Sequence, residues 1–336
     1  MTAVRGTPDV RAHQALREAY SGRRVLVVGG DGFLGLNCVY ALRELGADVS
    51  VLSRRPTPRA AGVCSHLVRG SLGDEGVVRA AVQAQDIVFD FAGSFGAVAS
   101  NRDPHRSLED ECRPHLNLFH ACATTASAPM VVFCSTRLVY GRPRYLPVDE
   151  VHPISPQSIY AVHKVTLEHY LRVLASTDGL RFCVLRLSNA YGPNAPDEWK
   201  GYGIINEFVR LAALGTPITV YGDGSQRRDY VYVDDAIVAF LMCAVTEACA
   251  GHTFNLGGRA VISVREAAVE VARAFAAPPI RFAPWPEDYR GVETGDYQTD
   301  LSKLERAIRL PPQLSFREGI GRMLGSMERR RAVQNG

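Results

Sequence analysis

Tyr160 and Lys164 lie four residues apart in Tyr160-Ala161-Val162-His163-Lys164, near the start of a stretch, Ile159 to Ala175, that reads as a helix. On a helix, positions i and i+4 share a face, so the Lys164 ammonium would stand beside the Tyr160 phenol. A phenol titrates near pH ~10, and a neighbouring cation lowers that value by favouring the phenolate. Tyr160 would then act as proton donor and acceptor at neutral pH. The same spacing also occurs on ordinary exposed helix faces. It gains weight from Cys134-Ser135-Thr136-Arg137-Leu138-Val139-Tyr140-Gly141, which sets a hydroxyl pair at the C-terminal end of an apolar strand, where parallel sheets bind ligands.

A second constellation is Gly29, Gly32 and Gly35, spaced GxxGxxG between an apolar strand and an amphipathic helix. Small residues there let the backbone approach a pyrophosphate at a helix N-terminus, which is the chemistry of a dinucleotide turn. A glycine triplet alone is weak, and the strand before it and helix after it supply the context the motif demands. An acidic residue about 20 positions on would hold the two ribose hydroxyls of NAD. Ser53-Arg54-Arg55 stands in that place instead. Guanidinium groups pair bidentately with phosphate, so this strand end suits the 2′-phosphate of NADPH, the alternative being a solvated basic loop. NADP(H) is therefore expected ahead of NAD(H).

The elements that must position these residues are legible as apolar runs. Val25–Val28, Val49–Leu52, Ile87–Phe91, Met130–Cys134 and Phe182–Leu187 read as buried parallel strands, separated by helical or loop-length sequence. The helix after the glycines carries Leu34, Cys38, Ala41, Leu42 and Leu45 at three- and four-residue spacing and ends at Gly46. This alternation predicts an α/β fold, a doubly wound parallel sheet of Rossmann type over residues 21–188. Residues 189–330 read mainly as a smaller C-terminal substrate lobe. It has apolar helices at Ile204–Leu214, Val264–Phe275 and Leu301–Arg309, and strand-like Tyr230–Val233 and Thr253–Leu256 that could return to the sheet. Residues 1–20 read as an N-terminal extension, a loose helix at most.

Composition narrows the class. The 336 residues are 46% hydrophobic and 22% charged, which excludes whole-chain disorder. A formal charge of +3, from 38 Lys and Arg against 35 Asp and Glu, is too small and dispersed to imply nucleic acid or an anionic membrane. No apolar run approaches the ~20 residues of a membrane span. The first 24 residues have no apolar core of a secretory signal, so a cytoplasmic protein is expected. Its eight cysteines contain no CxxC pair and read as reduced core thiols. Cys112, His115, His120 and Cys122 match no finger or ribbon spacing, on what looks like one helix (Ser107 to Ala123) broken at Pro114, and no metal is expected there.

In this order along the chain, GGDGFLG, Phe91-Ala92-Gly93, STRLVYG, YAVHK, Leu185-Arg186-Leu187-Ser188-Asn189-Ala190-Tyr191-Gly192-Pro193 and the run from Gly222 to Asp235 resemble the extended short-chain dehydrogenase/reductases of the nucleotide-sugar epimerase/dehydratase group. The likeness covers about residues 23–325. It implies Thr136, Tyr160 and Lys164 as the catalytic trio, with Lys164 also on the nicotinamide ribose. It implies cofactor contacts at Gly29, Gly32, Phe33, Leu34, Gly35, Ser53, Arg54, Ser71, Leu72, Phe91, Ala92 and Gly93, and at Tyr160 and Lys164 themselves. Ser94, Asn189 and Arg228 would touch a nucleotide-diphosphate sugar, Arg228 at the diphosphate. Relatives commonly dimerise through the helix bearing the Tyr–Lys motif, for which Val165, Leu167, His169, Tyr170 and Leu171 are candidates.

Departures from the family pattern narrow the reaction. Dehydrating members carry Asp-Glu directly after the catalytic Thr, and decarboxylating members a glutamate. Here Arg137 and Leu138 stand there, and neither can do that proton transfer. Ser71 stands where the family often has an adenine-contacting aspartate. Two reactions remain. One is 4-ketoreduction with NADPH, which the Ser53-Arg54-Arg55 terminus puts first. The other is 4-epimerisation on tightly held NAD. A non-catalytic dinucleotide sensor would usually have lost the Tyr–Lys pair.

Overall fold

The structure, a computed structural model, describes residues 14–93, 96–195 and 203–334. In chain order the strands are β1 (Arg24–Val28), β2 (Asp48–Ser53), β3 (His66–Arg69), β4 (Ile87–Asp90), β5 (Met130–Thr136), β6 (Phe182–Leu187), β7 (Asn189–Tyr191), β8 (Thr219–Tyr221), β9 (Arg227–Tyr232), β10 (His252–Leu256), β11 (Val261–Ser263) and β12 (Arg281–Ala283). The first helices are α1 (Gln14–Tyr20), α2 (Phe33–Glu44), α3 (Pro58–Ala61), α4 (Glu75–Val82), α5 (Ala97–Arg102), α6 (Pro104–Thr124) and α7 (Ile159–Asp178). After them come α8 (Ile204–Ala213), α9 (Val233–Val245), α10 (Val264–Ala274), α11 (Glu287–Arg290), α12 (Ser302–Ala307) and α13 (Phe316–Gln334).

Seven strands form one parallel sheet in the order β10-β6-β5-β4-β1-β2-β3. The order reverses between β1 and β4, which places the ligand crevice of such a sheet outside their C-terminal ends. Val25–Val28 and Ile87–Asp90 are wholly buried because helices cover both faces, which is why they read as continuous apolar runs. Apolar layers on each side hold the sheet, one built on α2 and α9, the other on α4, α6 and α7. α1 joins the first layer through Leu16 and Tyr20, whose hydroxyl donates to the Leu241 carbonyl at 2.8 Å.

Two sequence expectations meet a different outcome. β10 does take the edge of the main sheet beside β6, but β9 does not return to it. It pairs with β7 and β11 in a separate three-stranded sheet, which packs with α8, α10 and α13 around Tyr191, Phe208, Tyr232 and Ile320. α6 runs unbroken through Pro114. Within α7, Leu167 and Leu171 are core residues, while Val162 and Val173 are the exposed apolar positions. No helix among the described residues is long and apolar enough to cross a membrane.

Candidate active site

The turn after β1 is built by close backbone approaches. Gly29 has φ +73°, and a Cβ on it would meet the Ala92 backbone at 3.0 Å. A Cβ on Gly35 would come within 2.1 Å of the Gly29 carbonyl oxygen, so neither position admits a side chain. Gly32 is the N-cap of α2, and no side chain caps that helix. A cleft of about 950 Å³ opens at this point. Gly29 and Gly32 line it from the turn, Ser53 at the end of β2 and Arg54 just after it, Ser71 and Leu72 after β3, and Phe91, Ala92 and Gly93 after β4. The Phe33 and Leu34 side chains turn into the core, which leaves their backbone as what a ligand could meet. The cradle thus fits the pyrophosphate and adenosine of a dinucleotide.

At the end of β2, the Ser53 hydroxyl accepts from the Arg55 N–H at 3.3 Å, and Arg54, Arg55 and Arg59 are exposed around the cleft. Sequence reasoning passed over Asp31. Its carboxylate accepts from both the N–H and the hydroxyl of Thr57 at 2.7 Å, strapping the glycine turn to the loop that follows β2. Cys112, His115 and Cys122 are buried, and His120 is exposed. The His115 Nε2 lies 3.4 Å from the Asp90 carboxylate, and its Nδ1 lies 2.5 Å from the Glu111 carbonyl. Burial pushes the Cys112 thiol up to about 11.

Thr136 ends β5, and its hydroxyl accepts from the Leu138 N–H at 3.3 Å. Tyr160 starts α7, and three side chains fix that start. Ser158 caps the helix through the Ala161 N–H, Asn101 accepts from the Ile159 N–H at 2.8 Å, and Ser100 accepts from the Tyr160 N–H at 2.9 Å. One turn on, the Lys164 ammonium donates to the Cys134 carbonyl at 3.1 Å, 4.6 Å from the Phe133 ring centre and 5.7 Å from that of Tyr160. Thr136, Tyr160 and Lys164 therefore converge on the end of β5. The expectation that Lys164 lowers the phenol's titration is not met. Burial pushes Tyr160 well up, with Cys134 and Glu111 adding to it, and a hydrogen bond with Thr136 opposes. The phenol is held protonated at neutral pH.

A buried network that the sequence reading did not pick out holds this arrangement. Ser135 donates to Glu168 at 2.6 Å, and Arg186 donates to both Glu168 oxygens and to the Tyr140 hydroxyl. Tyr140 in turn donates to Asn255 at 2.6 Å, so β5, α7, β6 and β10 are tied at the site.

At the start of β7, the Asn189 amide donates to the Asp229 carbonyl at 3.0 Å and to the Ser188 hydroxyl at 3.1 Å. Arg228 is buried and paired with Glu293. Arg137 lies near it, also buried, donating to the Thr294 hydroxyl at 2.9 Å with its guanidinium 4.9 Å from the Tyr297 ring centre. Ser94 lies outside the described residues.

A parallel sheet with a glycine cradle at its switch point and a Thr–Tyr–Lys group one strand away defines an NAD(P)-dependent oxidoreductase of the short-chain type. The model of the NAD dependent epimerase/dehydratase family matches residues 25–257, and the chain belongs to that family. Across 310 residues it is 27% identical to the UDP-glucose 4-epimerase of Mycolicibacterium smegmatis, covering 89% of this chain and 96% of that one. Across 326 residues it is 28% identical to the dTDP-glucose 4,6-dehydratase of Xanthomonas campestris, covering 88% and 90%. The UDP-glucose 4-epimerase of Thermus thermophilus, solved in complex with NAD, superposes with a TM-score of 0.81 at 29% identity, over 91% of this chain and 99% of that one.

Proposed function

We propose that this protein acts at C4 of a nucleotide-diphosphate sugar, and that its net reaction is 4-epimerisation with a retained NAD. The observation that carries the reading is Thr136, Tyr160 and Lys164 gathered at the end of β5, with Arg137 and Leu138 in the two positions after Thr136. That trio can move a proton at one sugar hydroxyl, whereas neither Arg137 nor Leu138 can take a C5 proton. Relatives named as UDP-glucose 4-epimerases, one of them solved with NAD, support the epimerase over other reactions of the trio.

With its own proton first released to solvent, Tyr160 as the phenolate takes the proton of the C4 hydroxyl, and Thr136 hydrogen-bonds the oxygen on which charge develops. Lys164, fixed on the Cys134 carbonyl, keeps a cation beside the phenolate until it receives that proton. A bound nicotinamide dinucleotide, held by the Gly29–Gly35 turn, Ser53, Ser71, Leu72 and Phe91 to Gly93, supplies the hydride acceptor and donor. Tyr160 returns the proton after the sugar has presented its other face.

A second reading, 4-ketoreduction with exchangeable NADPH, is favoured by one observation, the Ser53-Arg54-Arg55 strand end with Arg59 beside it. Releasing the dinucleotide from purified protein by denaturation and identifying it separates the two. Stoichiometric NAD together with C4 inversion of a nucleotide hexose is the expected result. Empty protein that prefers NADPH and reduces a 4-keto nucleotide sugar would move the reading to the reductase. The same proposal takes the protein as a homodimer through α6 and α7, where Leu108, Leu116, Val162 and Val173 are exposed.

A further inference from the structure

Arg137 follows Thr136 directly, yet its side chain turns to the substrate lobe, onto Thr294 and Tyr297. It is 8% exposed and stands near Arg228, which is 5% exposed. The two cations do not share a counter-charge equally. Glu293 is committed to Arg228, and the oxygens of Asp229 are taken by Ser188 and the Thr299 N–H. Among the described residues no carboxylate lies within 4.0 Å of Arg137, and a single neutral hydroxyl accepts from it. Burial, with Arg228 next in effect, pulls its titration down to about 10, while Tyr297, Asp229 and Glu293 oppose without offsetting it.

A guanidinium carries five N–H donors, and leaving it buried without an anion is costly. Resting on the proposed nucleotide-sugar reading, we infer that Arg137 is a specificity residue that binds an oxyanion of the substrate, next to the reacting carbon. Two parts of such a substrate carry that chemistry, a carboxylate on the sugar and the diphosphate. The sugar carboxylate is favoured, because Arg137 adjoins Thr136 in sequence whereas Arg228 is the residue matched to the diphosphate. The preferred substrate is then an acidic nucleotide sugar, a uronic acid in place of a neutral hexose.

The test is direct binding to the whole protein and to Arg137→Met. Wild type is first titrated with UDP, dTDP, GDP and CDP to choose the nucleotide, then with the diphosphate, its glucose conjugate and its glucuronate conjugate. If none of the four nucleotides binds, the reading of the site as a nucleotide-sugar pocket fails, and this inference with it. The expected result is a loss of roughly ten- to a hundred-fold in glucuronate-conjugate affinity, the range of a charge-assisted contact, with the other two ligands unchanged. An equal loss for all three ligands would assign the oxyanion to the diphosphate. Affinities unchanged from wild type for all three, in a variant that melts like wild type, would overturn the inference and leave Arg137 as a strut between the Thr136 turn and the Thr294–Tyr297 segment. If Arg137→Met does not fold, Arg137→Lys decides in its place, keeping the charge but losing the fork. A several-fold weakening confined to the anionic conjugate supports the assignment, and no change sinks it.

Discussion

At Tyr160, burial and the Thr136 hydrogen bond pull the phenol's titration in opposite directions, and burial wins. The resting group is therefore a neutral phenol, fit to donate in the reducing half-cycle, and the oxidising half-cycle, in which it is the base, starts only once it has lost that proton beside the Lys164 cation held one turn away. Tyr160→Phe keeps the ring and its packing but removes the exchangeable proton. Turnover should fall by about 10²- to 10⁴-fold, far more than any change in dinucleotide affinity measured by titration. Unchanged turnover would remove Tyr160 from the chemistry. At the other end of the cleft, Ser53 and Arg54 line the space where an adenosine ribose would lie. Converting them together, Ser53→Asp with Arg54→Ala, supplies a ribose-binding acid and removes a charge that would pair with a 2′-phosphate. The ratio of NADPH to NADH affinity should fall by at least ten-fold in paired titrations, and a constant ratio would show that these residues do not read the 2′-position.

Elements meet at the site through one buried ion pair. Glu168 of α7 receives Ser135 of β5 and Arg186 of β6, and Arg186 reaches Tyr140 and, through it, Asn255 of β10. Glu168 is 1% exposed and Arg186 5%, so removing one partner strands the other away from water. Glu168→Gln should cost about 3–5 kcal/mol in urea unfolding, with the slope unchanged. Replacing both, Glu168→Leu with Arg186→Met, should cost less than the single change, because no unpaired charge remains buried. A double variant weaker than Glu168→Gln would instead mean that the network's hydrogen bonds, not the stranded charge, dominate. Because Ser135 precedes Thr136, the single variant should also lower turnover more than it weakens dinucleotide binding.

Across the whole molecule, what was legible in the sequence is what burial on two faces imposes locally. β1, β2, β4, β5 and β6 are apolar because both sides of the sheet are covered, and the glycine turn is spelled by backbone approaches that exclude a Cβ. β3 carried no such signal, since His66–Arg69 sits at the sheet edge and is mostly exposed. The three-residue strands β7, β8, β11 and β12 are too short for a period to show. At the site, the Thr136, Tyr160 and Lys164 spacing was readable, while Ser100, Asp31, Glu168 and the Arg137 environment were not. Their partners lie 18 to 160 residues away, and contacts across such separations leave no pattern in the chain.

The same long-range assembly sets the molecule's response to pH. Asp234, at the start of α9, is buried where α9 faces α13, with Arg322 4.0 Å away. Burial lifts its carboxyl to about 8, with Asp235 and Glu44 pushing the same way and Arg322 opposing. In the unfolded chain the group titrates near ~3.9. Between those values this carboxyl binds more protons in the folded protein than in the unfolded one, so its contribution to stability is greatest at the acidic end of the window and declines as pH rises towards 8. Asp234→Asn mimics the protonated side chain and removes that decline. The variant should melt close to wild type at pH 5 and above it at pH 9, in a gap that opens progressively between. An equal shift at both pH values would place the effect in packing or helix capping, and a lower melting temperature at pH 9 would show that the ionised carboxylate's pairing with Arg322 outweighs its burial.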